Sequence, residues 1–345
     1  MSILKRISAL VISAAMMCAG TNAVYAENNI GGDTVNIKVD GSTANTNENF
    51  LYRGQGMISC NGSSRLLIDY KEKSPESYNQ ILRYMYGKNG LKFTHFKVEM
   101  GSDVNTSSGT EPTTMRYEDE KADVTRGAGF QLAADIKKIN PDVTLDMLWW
   151  SEPRWVTDAK DVYAARYKWY KQTLDAAYET YGLVFDYVSA NRNERAVDND
   201  WIIYLSKALK SEKDCPYDYS EIKIVAADEC GTWGISRLMM KNKELCDAVD
   251  VIGSHYTSFA DDTTKKLAEE YGKELWFSEG SSPMTYAQSV YRYDEGNSGL
   301  TGLNGVFDVA NRMITMVSGG YMTLYEYQPA VAGYYDGVTS CQKQT

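Results

Sequence analysis

Tyr187-Val188-Ser189-Ala190-Asn191-Arg192-Asn193-Glu194 is a short β-prone run that ends on a carboxylate, and Leu275-Trp276-Phe277-Ser278-Glu279 repeats the pattern 85 residues later. On both sides, β-prone runs alternate with helical ones. That alternation predicts an α/β chain folded as a (β/α)8 TIM barrel, with these two runs as its fourth and seventh strands. Side chains at the C-terminal ends of barrel strands converge on one mouth, so the two glutamates are expected to face each other there. Two converging carboxylates can break a glycosidic bond, one as proton donor and the other as nucleophile or base. A lone glutamate at a strand end is more often a helix N-terminal charge or a solvated loop residue. Here the neighbours favour chemistry. The Asn193 amide can hold a sugar 2-hydroxyl, and Trp276 and Phe277 can partly desolvate Glu279.

Working outward, the predicted strands run over 52–58, 93–100, 143–149, 187–190, 222–227, 249–252, 275–277 and 321–325. Helices are predicted over 75–86, 127–139, 162–181, 201–209, 235–242, 263–271 and 306–318. The barrel is assigned to residues 51–345, which have no convincing eighth helix after the last strand. Residues 27–50 are rich in Asn, Thr, Gly and Asp and hold one alternating run, 35–39, which reads as a lone strand in need of a sheet.

The first 26 residues carry Lys5 and Arg6, an apolar stretch over 7–19 and a small-residue exit at Val24-Tyr25-Ala26, the pattern of a secretory leader cut after Ala26. Met17 precedes Cys18 where a lipid-attachment site normally has a small residue. The apolar stretch is too short to span a bilayer, so no stable membrane insertion is expected. Loss of the leader leaves 34 basic and 46 acidic residues, a net charge of −12. That charge argues against a nucleic-acid partner. Five cysteines remain, at 60, 215, 230, 246 and 341, so at most two pairs can form. Their spacing matches no metal site, and no cofactor is implied.

Several blocks follow one another in an order that resembles the galactocerebrosidases, the retaining β-galactosidases of glycoside hydrolase family 59. They are Gly54-Gln55-Gly56 with Ser64-Arg65-Leu66-Leu67; Phe96-Lys97-Val98-Glu99-Met100-Gly101-Ser102-Asp103; Gly109-Thr110-Glu111-Pro112; Trp150-Ser151-Glu152-Pro153-Arg154-Trp155; Asn193-Glu194-Arg195; Val249-Asp250-Val251-Ile252-Gly253-Ser254-His255-Tyr256; and Ser278-Glu279. The resemblance implies that Glu194 is the acid/base and Glu279 the nucleophile. It implies that Asn193 holds the galactose 2-hydroxyl, that Thr110, Trp150 and Ser282 contact the sugar, and that His255 lies beside the carboxylates. It further implies a β-galactoside substrate, glycolipid or oligosaccharide, and a β-sandwich to which the 35–39 strand would belong and which is largely missing here, so that the chain is expected to be truncated. Two departures stand out. Arg192 replaces the Trp that the family places before Asn-Glu, and no residue matches an active-site arginine that the family draws from beyond the barrel.

The other histidine, His95, falls inside the second strand and is expected to be buried. Twenty-six Tyr and seven Trp are many for 345 residues, and aromatic rings stack on the apolar faces of sugars. Tyr256, Trp150, Trp155, Tyr325 and Tyr327 fall near strand ends, whereas Trp169, Tyr170 and Tyr178 are expected to fill helix interfaces. Two other functions fit the same carboxylates: another retaining barrel glycosidase, such as a β-glucosidase or a β-xylanase-like enzyme, and a non-catalytic sugar-binding barrel.

Overall fold

The computed structural model describes residues 50–60, 62–104, 106, 109–281, 306–328 and 330–331. The expected leader, the 35–39 strand, Ser282 and Cys341 lie outside the described residues. From Tyr52 onward the chain forms one compact unit. Among the described residues its eight strands are β1 (Gly54–Ile58), β2 (His95–Glu99), β3 (Thr144–Leu148), β4 (Tyr187–Ser189), β5 (Lys223–Cys230), β6 (Val251–His255), β7 (Glu274–Ser281) and β8 (Met322–Gln328). The hydrogen-bonded ladders are all parallel, in the order β3-β2-β1-β8-β7-β6-β5-β4. The two ends of this sheet meet. Asp186 N–H donates to the Leu145 carbonyl (3.0 Å), Asn193 N–H to the Trp149 carbonyl (3.0 Å), and Trp149 bridges Arg192 in parallel register. The barrel therefore closes at the base of the loop that carries Glu194.

Helices α1 (Ser63–Lys73), α2 (Pro75–Tyr86), α3 (Ala128–Ile139), α4 (Arg154–Thr157), α5 (Val162–Tyr181), α6 (Asn199–Ser211), α7 (Gly234–Met239), α8 (Lys243–Ala248), α9 (Asp262–Tyr271) and α10 (Val306–Ser318) connect the strands. Local chemistry fixes several of their ends. The carboxylates of Asp161, Asp198 and Asp261 accept from backbone N–H groups of the first turns of α5, α6 and α9. Gly182 ends α5 at φ 69°, a conformation that costs glycine nothing. Helix α1 was not expected from the sequence. It has no side-chain cap and buries little apolar surface beyond Leu67 and Ile68, so its amphipathic signal is weak.

Alternation along the strands sorts two interiors. Phe96, Val98, Phe277 and Tyr325 are fully buried on one side, and each such apolar side chain contributes about 1.5–3 kcal/mol by leaving water. Inside the barrel, Tyr187, Val225, Val251, Trp276 and Leu324 form an apolar plug. Next along the strands comes a charged layer: Lys97 Nζ lies 3.5 Å from Asp146, 3.5 Å from Asp228 and 3.2 Å from Glu326. His95 is buried as expected, but beside Glu326 (3.3 Å) as part of the barrel filling.

Some aromatic expectations change. Tyr325 is fully buried and stacks on Phe277 (centroids 4.6 Å apart), so it belongs to the core, and half-buried Tyr327 stacks one face on Phe93 (5.6 Å). Trp155 is half-buried and donates its indole N–H to the Met115 carbonyl (3.0 Å). Trp169 and Tyr170 are core residues, but Tyr178 is 38% exposed, because its ring leans on Tyr217 at the surface.

Candidate active site

Strands β5, β6 and β7 all run further than their sequences suggest, and the extra residues build the mouth. β7 continues past Phe277 through Glu279, which pairs in register with His255 of β6, and His255 in turn pairs with Cys230 of β5. Between Ala227 and Glu229 the β5–β6 register shifts, and Asp228 takes φ 50°. This bulge turns the Asp228 carboxylate inward, where it is 1% exposed. Glu194 (φ 56°) and Tyr256 (φ 56°) are also left-handed. Such backbone costs about 1–3 kcal/mol per residue and clusters at functional sites. Hydrogen bonds hold two of these positions: Glu194 N–H to the Asp228 carbonyl (3.2 Å) and Tyr256 N–H to the Glu279 carbonyl (3.0 Å).

A carboxylate oxygen of Glu194, one of Glu279 and a ring nitrogen of His255 lie within 4.8 Å of one another. His255 Nδ1 is 2.9 Å from Glu194 Oε1 and 3.5 Å from Glu279 Oε2, while its Nε2 is 3.5 Å from Asp228 Oδ1. The Tyr256 hydroxyl donates to Glu279 Oε1 and lies 3.3 Å from Gln328. The two glutamates differ in setting. Glu279 is 1% exposed, whereas the Glu194 side chain is 34% exposed and opens to solvent.

Burial disfavours the charged imidazolium, but the surrounding carboxylates of Glu279, Asp228 and Glu194 overcome it and push His255 up to about 10. Burial, opposed by His255, holds the Glu279 carboxyl above the ordinary range; nearby Glu194 pushes it further up and the Tyr256 hydrogen bond pulls it down. Asp228 is pulled in the opposite direction. Its burial is outweighed by Lys97 and His255, and it stays well below the usual carboxylate range.

Among the described residues, two groups of His and carboxylate side chains approach closely enough to suggest a metal, and neither suits one. Among His95, Asp146 and Glu326 the Lys97 ammonium already sits at 3.2–3.5 Å from both carboxylates. Between Glu194 and Glu279, His255 Nδ1 lies 2.9 Å from the Glu194 carboxylate, and the raised proton affinity of the ring opposes the loss of the proton that a metal would displace.

Asn193, Trp150 and Thr110 line the same end of the barrel. Asn193 is 4% exposed and its Oδ1 has no protein partner. Trp150 packs on Ile58, Cys60 and Leu148. Thr110 is exposed; its N–H donates to Glu99 (3.1 Å) and its hydroxyl accepts from Gly62 N–H (3.1 Å). Arg192, where the family has Trp, donates to the Trp150 carbonyl (2.6 Å) and lies 3.3 Å from Ser151 Oγ. It ties the Glu194 loop to the end of β3. Asp228, Lys97 and Gln328 were not singled out in the sequence. The available signal was Asp228 at the end of a predicted strand, the position that faces a barrel mouth. Cys215, Cys230 and Cys246 carry free thiols.

The family model for glycosyl hydrolase family 59 matches residues 52–345. The galactocerebrosidase of Macaca mulatta is 36% identical over 241 residues, covering 68% of this chain and 33% of that protein. That of Danio rerio is 34% identical over 250 residues, covering 69% and 34%. The chain thus spans about a third of the length of the curated relatives it matches. Among solved structures, SrfJ from Salmonella typhimurium superposes with a TM-score of 0.64 over 85% of this chain and 71% of its own, at 17% identity, a likeness of fold alone. With nearly all of the barrel sequence matched by its model, the chain belongs to glycosyl hydrolase family 59.

Proposed function

We propose that the chain is a retaining exo-acting β-galactosidase of the galactocerebrosidase type, with Glu279 as nucleophile and Glu194 as acid/base. The observation that carries this reading is the unequal pair at the mouth: a buried, tyrosine-bonded Glu279 facing a solvent-open Glu194 with carboxylate oxygens within 4.8 Å. That spacing fits the about 5–5.5 Å of retaining enzymes and is too short for the water that inverting enzymes admit at about 6.5–9.5 Å. In the first step protonated Glu194 donates to the leaving oxygen while ionised Glu279 attacks the anomeric carbon. Once Glu279 is esterified, Glu194 acts as the base that takes a proton from the attacking water in the second step. The open setting of Glu194 suits proton exchange with solvent, and the dry setting of Glu279 suits attack on an oxocarbenium-like centre.

Asn193 would hold the 2-hydroxyl with its unpartnered buried Oδ1, and Thr110, Trp150 and Ser282 would contact the galactose. The substrate is a glycolipid or oligosaccharide carrying terminal β-galactose. Residues 1–26 would serve as a secretory leader cut after Ala26, giving an extracytoplasmic enzyme. No described helix is long and apolar enough to cross a membrane.

A panel of aryl β-glycosides tests the reading: we expect the β-galactoside to be the best substrate, with β-galactose as first product by NMR. Preference for the β-glucoside or β-xyloside would replace the substrate assignment, and no turnover of any would leave a binding barrel. Roles separate in the mutants. Glu279→Ala should abolish turnover of every substrate, and azide should rescue it with an α-configured product. Glu194→Ala should retain activated aryl substrates, and azide should give the β-configured product, because the glycosyl-enzyme still forms. Swapped configurations would reverse the assignment.

A further inference from the structure

Behind the glutamates lies a second set of charges that the proposed chemistry does not itself use. Asp228 is buried and reaches its place by two specific concessions in the chain. Its backbone takes the left-handed φ of 50° inside a bulge, and Gly253 on β6 leaves the space it fills. A Cβ on Gly253 would stand 2.6 Å from Asp228 Oδ1 and 2.6 Å from Ser278 Oγ. From this pocket Asp228 Oδ1 lies 3.5 Å from His255 Nε2 on one side and 3.5 Å from Lys97 Nζ on the other. Lys97 also donates to the carbonyl of Ser278, the residue before Glu279 (3.4 Å).

We infer that Asp228, anchored by Lys97, is a positioning residue that keeps His255 as a doubly protonated imidazolium between Glu194 and Glu279. The groups facing His255 are Glu194 from the loop after β4, Asp228 from β5, Glu279 from β7 and Tyr256 beside it, whose ring lies 5.7 Å away. Cys230 stands opposite in register and Lys97 of β2 acts through Asp228. Nε2 faces the Asp228 carboxylate at 3.5 Å and Nδ1 the Glu194 carboxylate at 2.9 Å, so both ring nitrogens meet a negative charge, and the positive ring favours the ionised form of neighbouring Glu279 in a dry site. Without Asp228 the ring would hold its second proton less firmly, and its orientation would no longer be fixed from behind.

The inference rests on the proposed glycosidase only for its catalytic consequence, and the test reads the two apart. His95 and His255 are the only histidines of the chain, so 15N-labelled protein shows two imidazole spin systems. We expect His255 to remain doubly protonated from about pH 5 to about pH 8, where an ordinary histidine has lost its proton. Asp228→Asn, nearly the same in shape, should lower the His255 midpoint by about one pH unit or more. Against the aryl galactoside it should reduce kcat by about 10²-fold with KM little changed, since Asp228 does not reach the substrate.

Gly253→Ala, which crowds the Asp228 pocket, should shift the same midpoint in the same direction. Wild-type His255 titrating near the ordinary value of about 6.5, or an unmoved midpoint in folded Asp228→Asn, would overturn the inference even if the enzyme is a good galactosidase. A shifted midpoint in a protein inactive on galactosides would uphold the Asp228 arrangement and remove the substrate assignment.

Discussion

Tyr256 sits at the turn where β6 leaves the barrel, and its left-handed backbone lets its hydroxyl reach Glu279 Oε1. The hydroxyl donates to the ionised nucleophile and so favours that state, against the burial that holds Glu279 above its ordinary value. Tyr256→Phe removes this contribution without opening a cavity. The Glu279 value should therefore rise further, and the acid limb of kcat/KM should move to higher pH, with about 10–10²-fold lower kcat at the wild-type optimum. Unchanged profiles in Tyr256→Phe would show that the tyrosine only packs. Residues of this kind are hard to read from a chain alone. Glu194 and Glu279 could be found because each ends an apolar run, but Asp228 lies one residue past a predicted strand end, in a bulge that only the pairing with β6 reveals. Lys97 was hidden for another reason. In Phe96-Lys97-Val98-Glu99 the alternation of apolar and charged residues suggests a strand with one wet face. Here the charged side chains point into the barrel and the apolar ones under the helices, so neither face is wet.

At the scale of elements, the loop after β3 shows how the mouth is braced. Glu152 pairs with Arg166 of α5 through two contacts, one of them Nη2–Oε2 at 3.1 Å, and both side chains are about nine-tenths buried. The guanidinium lies 4.7 Å from the ring centroid of Trp201 and 5.4 Å from that of Trp149. Trp201 donates to the Ala190 carbonyl (2.8 Å) just ahead of the Glu194 loop, and the Trp149 carbonyl receives Asn193 N–H. One arginine thus joins α5, α6 and the ends of β3 and β4. Arg166→Ala would leave Glu152 charged and unpaired in a dry place and remove cation–π packing from two tryptophans, so a loss of about 3–5 kcal/mol is expected in urea unfolding. Arg166→Lys should recover only part of that loss, because an ammonium cannot make the bidentate pair and stack at once. Full stability in the lysine variant would refute this bracing role. The order of these elements was legible from the alternation of strand and helix. The brace was not, because nothing in the spacing of Glu152 and Arg166 tells that both are buried.

For the whole molecule the central question is how a barrel tolerates Lys97, Asp146, Asp228 and Glu326 in its middle. Taking charges out of water costs several kcal/mol per ion, and only close pairing makes them bearable. Lys97 stays charged with a strongly raised proton affinity: burial opposes the charge, but Asp228, Glu326 and Asp146 together outweigh it. The carboxylates divide unequally. Asp228 is held ionised, Asp146 is raised by its burial to about 6, and burial pushes Glu326 well above the ordinary value. Lys97→Met, which conserves the chain's length and removes its charge, should cost about 3–5 kcal/mol at pH 7. The pH dependence of that cost turns on Asp228, whose shift changes sign, whereas Asp146 and Glu326 are raised with Lys97 present and stay raised without it. In the wild type, the depressed Asp228 contributes stability that is present above the unfolded value of about 3.9 and is lost as pH falls through its lower folded value. Without Lys97 the largest lowering influence on Asp228 is gone, so burial would raise its folded value above the unfolded one. The folded variant would then bind more protons than the unfolded chain through the mildly acidic range, and its stability would rise as pH falls. Urea unfolding of both proteins at about pH 7 and about pH 5 should therefore show a gap that narrows with acid. A gap that widens toward pH 5 would mean that the carboxylates do not depend on Lys97, and that the charged layer is held by some other balance.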